Sequence, residues 1–115
     1  MSYDLINELQ QKNRELSASI KQLRISGQSK AEAEKNYKIK LREEALKLRA
    51  EKGMPVTLIQ QIVYGIPAVA ELRFKRDIAD TVYQANLEAI NSTKLQMRII
   101  ENQISREWGA KDGGV

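Results

Sequence analysis

The sequence predicts an all-α protein, an elongated helical bundle or hairpin of about four helices that closes with one long C-terminal helix. Three observations carry that prediction. Between Pro67 and Trp108 the chain runs about forty residues without glycine or proline, almost all of them good helix formers. Elsewhere apolar residues recur at spacings of three, four or seven, the period of an amphipathic helix. No stretch alternates apolar and polar residues as a half-buried strand does, and no internal repeat is visible. A forty-residue helix spans about 60 Å, whereas a compact globule of this chain length has a radius of gyration of about 13–14 Å. The long helix therefore calls for a hairpin or an oligomer rather than a small sphere with an enclosed pocket.

The elements follow in order. A first helix is expected over about residues 3–25, with Leu5, Leu9, Leu16, Ile20 and Leu23 on one stripe and Ser2 as N-cap. Ser26-Gly27-Gln28 reads as a break, and Ser29 with Glu32 as the capping box of a second helix. That helix runs to about Lys52, burying Ala33, Tyr37, Leu41, Ala45 and Leu48, and Gly53 ends it. Pro55 opens a short, very apolar third helix, Val56 to Tyr64. Gly65-Ile66-Pro67 redirects the chain into the long helix. There Ile78, Val82, Ala85 and Ala89 form one apolar row, and Ala79, Tyr83, Ile90, Met97, Ile104 and Trp108 a second. Together the rows are wide enough for two neighbours. They read either as the core of the bundle or as a seam between copies, and a homo-oligomer is expected. Lys94 and Glu101 interrupt the second row, which argues against a long parallel coiled coil.

A chain of 115 residues makes one domain, placed at residues 1–108, with the glycine-rich stretch 109–115 as a disordered tail. Cysteine and histidine are both absent. That removes disulfides, thiolate nucleophiles and the commonest general base and transition-metal ligand. No apolar run is long enough to span a membrane, and MSYDLINELQ lacks the features of a signal peptide. A soluble cytoplasmic protein without membrane association, cofactor or metal is expected.

Net charge is +4, and residues 1–53 carry twelve basic and eight acidic side chains against seven of each in the remainder. The basic groups cluster at Lys35, Lys38, Lys40 and Arg42, and again at Arg73, Lys75 and Arg76, with Tyr37 and Phe74 interleaved. Cations beside rings can neutralise phosphates while a ring stacks on an exposed base. These seven residues are the candidate nucleic-acid-binding set. The ordinary alternative is a pair of solvated helix faces with Tyr37 and Phe74 turned inward.

Residues 51–74 have the rhythm of a helix-turn-helix about Gly65, but Gln61 and Glu71 occupy positions such a motif buries. A plain helical corner is the alternative. Glu43 with Glu44, or Asp77 with Asp80, are the carboxylates a divalent cation would use, yet Arg73 and Arg76 lie one turn before Asp77 and Asp80 and explain them by ion pairing. No phosphate-binding glycine loop or activated serine is present, and a non-enzyme is expected.

Ala70-Glu71-Leu72-Arg73-Phe74-Lys75-Arg76-Asp77-Ile78-Ala79 and Ile104-Ser105-Arg106-Glu107-Trp108 resemble segments of small, mostly uncharacterised helical proteins encoded by phages and prophages of Gram-positive bacteria. The likeness extends from the MSYDLINELQ start to Trp108. The resemblance implies a cytoplasmic role in an infected cell, among genes for replication, recombination or takeover of host functions. It carries over no functional residues. Two functions follow as expectations. One is an accessory protein binding DNA or a nucleoprotein complex through the basic set. The other is an interaction module, an inhibitor or adaptor of a host protein, acting through the long helix and the apolar segment Val56 to Ile66.

Overall fold

The computed structural model describes the backbone of residues 2–113 and the side chains of residues 3–109. Among these residues every element is helical: α1 Ser2–Lys52, α2 Val56–Ile62, a single 3-10 turn Val63–Gly65, and α3 Pro67–Gly113. The all-α expectation holds. The count of about four helices does not, because α1 passes without a break through Ser26-Gly27-Gln28. Glycine inside a helix costs about 1 kcal/mol relative to alanine, which packing against a neighbour readily offsets. Ser26 is buried and the Tyr83 ring lies against Gly27, so α3 holds this stretch helical. Ser29 and Glu32 consequently sit in mid-helix, and Glu32 pairs with Lys35 at 3.7 Å instead of capping anything. The Ser2 side chain, the side chains beyond Gly109 and residues 114–115 of the expected tail lie outside the described residues. No helix among them is long and apolar enough to cross a membrane.

The chain divides into two compact units, a corner unit formed by Ile25–Tyr83 and an end unit formed by residues 1–24 with 84–115. In the corner unit α1 and α3 run antiparallel. Tyr83 meets Gly27, Lys30 Nζ lies 3.0 Å from Asp80, and Arg76 Nε lies 3.9 Å from Glu34, so numbers rise on one helix as they fall on the other. Inward positions alternate by three and four, through Ser26, Lys30, Ala33, Tyr37 and Lys40 on α1 and Val69, Leu72, Arg76, Ala79 and Tyr83 on α3. The seam is heptad-spaced, although polar side chains share it. Tyr37 and Val69 are buried in it, as Ile59 and Val63 are in the corner.

In the end unit Asn86 Nδ2 donates to the Gln22 carbonyl at 3.5 Å. Ile90 and Ile100 are buried, and Leu9, Leu16, Leu23, Met97 and Ile104 are half-buried. The inward row steps through Thr93, Met97 and Ile100, leaving Lys94 and Glu101 exposed beside it.

Of the two apolar rows expected on α3, one turns inward and the other, Ile78, Val82, Ala85 and Ala89, is exposed. The reason is the helix count. With α1 unbroken, α3 meets α1 alone along this row, beyond the corner where α2 packs, rather than two neighbours. Trp108, placed on the inward row by its spacing, is exposed as well.

The corner is fixed by backbone chemistry. Gly53 adopts φ 59°, the left-handed conformation in which a β-carbon is strained, and its amide donates to the Arg49 carbonyl at 3.1 Å. The Met54 amide donates to the Leu48 carbonyl, and the Arg49 guanidinium returns a bond to the Met54 carbonyl at 3.0 Å. Pro55, extended at φ −60° and ψ 145°, accepts the amides of Leu58 and Ile59 and starts α2. The short helix, expected to reach Tyr64, tightens to a 3-10 turn at Val63. Ile66 is extended, as a residue before proline prefers, and Pro67 opens α3. Phe74 is 60% exposed, which does not fit the buried residue a helix-turn-helix needs there.

Candidate functional site

The seven basic residues singled out by sequence do not share one surface. Lys35, Lys38 and Arg42 fall three and four apart and share an outer face of α1, while Lys40 lies on the inward seam. Lys35 pairs with Glu32, Lys38 with Glu34 at 3.4 Å, and Lys40 with Glu43 and Glu44 at 3.6 and 3.3 Å. Such exposed pairs between neighbouring turns contribute a few tenths of a kcal/mol each. On α3 the Arg73 guanidinium stands 5.4 Å over the Tyr64 ring, and Lys75 faces a different side. Among the described residues Arg42 and Lys75 have no ion-pair partner.

Arg76 is built into the fold. Its guanidinium lies 4.5 Å over the Tyr37 ring and donates to Asp77 Oδ1 through Nε at 3.1 Å and Nη2 at 2.9 Å. The hydrogen bond to Asp77 raises its pKa above the usual arginine value, desolvation opposes it, and the nearby charges of Asp77, Tyr37 and Glu34 add to the rise. Tyr37, 5% exposed beneath it, offers no face to a base. Of the two carboxylates on this turn, Asp77 bonds its neighbour Arg76 rather than Arg73, the partner its spacing predicts, and Asp80 pairs with Lys30 at 3.0 Å. Lys30 also lies 4.8 Å over the Tyr83 ring. Among the described residues no three acidic side chains converge as metal ligands.

Two other surfaces stand out. The first is the corner itself. From Gly53 to Ala70 the chain carries no charged residue, although 30% of the whole sequence is charged. A seven-residue helix has little stability of its own, and α2 is held by burying Ile59 and Val63 beside Val69, which is 0% exposed. That leaves Val56, Leu58, Ile62 and Tyr64 exposed on the same corner. Large aliphatic side chains concentrated on an uncharged turn are the composition of a protein-docking surface.

The second is an open groove of about 380 Å³ beside the seam, lined by Ile25, Ser29, Glu32 and Asn36 of α1 and by Leu72 and Lys75 of α3. Its size is near the lower end of small-ligand pockets, roughly 300–1,000 Å³, and it lacks the convergent polar groups that orient a substrate. Exposed aliphatics edge it. Ile39 lies two heptads after Ile25 on α1, and Ile78 and Val82 lie three and seven residues after Lys75 on α3. Apolar spacing within the expected short helices passes over Ile25, Ile39 and Leu46. Their sevenfold recurrence shows only once α1 is taken as continuous.

The sequence matches no protein-family model, and neither curated proteins nor solved structures give a significant match.

Proposed function

We propose that this chain is a non-enzymatic interaction module that docks on a protein partner through its uncharged corner. The observation that carries the reading is the exposure of Val56, Leu58, Ile62 and Tyr64 on a turn already anchored by Ile59, Val63 and Val69. An anchored turn presents its outer side chains with little ordering entropy left to lose, which favours binding. Arg73, stacked on Tyr64, supplies a cation at the rim, and Tyr and Arg are the residue types that dominate binding hot spots. The resemblance to phage and prophage proteins makes a host protein in the cytoplasm the expected partner, with the module as its inhibitor or adaptor.

The test is affinity capture from a Gram-positive host lysate with the wild-type chain and with Leu58→Glu and Tyr64→Glu. A partner retained by the wild type and lost by both variants, at unchanged helix content, supports the corner. Identical capture by all three overturns it.

The second reading, nucleic-acid binding, draws on the shared face of Lys35, Lys38 and Arg42, where Arg42 has no competing acid. It predicts DNA affinity that falls steeply with salt and drops on charge reversal at Lys38 and Arg42. No binding to single- or double-stranded DNA at low salt removes it.

A further inference from the structure

We propose that the groove face of the corner unit seats a second copy of this chain, in a twofold pairing that places Ile78 and Val82 of each copy between Ile25 and Ile39 of the other. The inference is independent of the corner reading. It starts from the levels at which the two helices meet. Gly27 faces Tyr83, Lys30 meets Asp80 and Glu34 meets Arg76, so Ile78 stands level with position 32 of α1 and Val82 with position 28. Along the groove face α1 carries exposed isoleucines at 25 and 39, and between them Gln28, Ser29, Glu32, Ala33 and Asn36 line the groove, none of them a large aliphatic. The aliphatic ridge of α3 and the interval of α1 that carries no large aliphatic therefore lie at one height.

A twofold axis parallel to the helices sets α1 of one copy against α3 of the other, antiparallel and at the same level, as in an up-down four-helix bundle. Ridge then meets interval twice. Four aliphatic side chains per copy, each about half exposed in the single chain, leave water together.

Charge complementarity supports the same occupant. Glu32 and Lys75 are the only charged residues lining the groove, one on each helix and opposite in sign. Among the described residues Lys75 has no ion-pair partner, and Glu32 has only the exposed Lys35 at 3.7 Å. Lys75 stands level with position 35, one turn from Glu32, so the twofold brings each Lys75 to the partner's Glu32. A groove with one charge of each sign, one on each helix, is complementary to its own twofold copy.

The test is sedimentation equilibrium of the full chain from about 1 to 200 μM, a range that spans micromolar Kd values. The expected result is a dimer whose Kd rises roughly 100-fold in Ile78→Lys/Val82→Lys, since each copy then replaces its aliphatic ridge with two lysines beside the partner's Ile25 and Ile39. Glu32→Lys is expected to weaken the dimer about tenfold by facing like charges, and Glu32→Lys/Lys75→Glu to restore it. The charge swap lies on exposed positions and settles the matter if the double lysine variant loses helix content. A wild type that stays monomeric throughout the range overturns the proposal. So does a dimer that ignores the Ile78/Val82 change in a folded variant, or one whose affinity Glu32→Lys leaves unchanged. Loss of the dimer with partner capture intact separates this surface from the corner.

Discussion

The ring edge of Tyr83 stands 3.5 Å from the point where a β-carbon on Gly27 would sit, which is ordinary van der Waals contact rather than a clash. Gly27 is therefore not required for room, and it occupies helix interior without a left-handed backbone. Gly27→Ala should stabilise the protein by about 0.5–1 kcal/mol through helix propensity and the added contact. A rise of a few degrees in the thermal midpoint is the expected readout, and a fall would mean that α1 needs a weak point here.

Gly53 should behave in the opposite way. Its φ of 59° strains any residue with a β-carbon, even though nothing stands within 4 Å of the added atom. Gly53→Ala is expected to cost about 1 kcal/mol, with Gly53→Asn costing less because asparagine tolerates that conformation. Chemical denaturation of the two variants side by side checks the order.

Val69 is the fully buried side chain of the corner. Val69→Ala removes two methyl groups and leaves a cavity, a loss of about 2 kcal/mol. Because Val69 lies beside the buried face of α2, the same variant should raise amide exchange at Ile59 and Val63 before it does so at Ile90 in the end unit.

Arg76→Lys keeps the charge and loses the planar group that lies over Tyr37 and bonds Asp77 twice. A loss of about 1 kcal/mol is expected, with a coupling of similar size to Tyr37→Leu in a double-mutant cycle. Additive effects would show that the guanidinium and ring are merely close.

Much of the fold is legible in the sequence where the backbone itself makes the demand. Gly53, Pro55 and Pro67 mark real boundaries because a left-handed residue, a missing amide and a fixed φ have few alternatives. Gly27 misleads because it differs from alanine by only about 1 kcal/mol, less than the packing of Ser26 and Tyr83 around it supplies. The seam is harder to see. Lys30, Arg76, Asn86 and Thr93 occupy inward positions, so counting apolar residues misses its regularity. As for the basic set, composition shows that cations and rings alternate but not which way they turn. Tyr37 goes under Arg76 while Phe74 stays exposed, and Glu34, which engages both Lys38 and Arg76, lies 42 residues from the latter.

Within the corner unit the antiparallel run of α1 past α3 sets an order of assembly. Contacts near the corner join residues few positions apart, as in the bond from Gly53 to Arg49. Farther along, Glu34 and Arg76 are 42 residues apart and Lys30 and Asp80 are 50 apart. Each later pair closes a longer loop unless the previous one has already formed, and then it closes almost none. The corner unit should zip outward from Gly53, and a stalled or thermally opened molecule should keep Val69 buried while Gly27 and Tyr83 have parted.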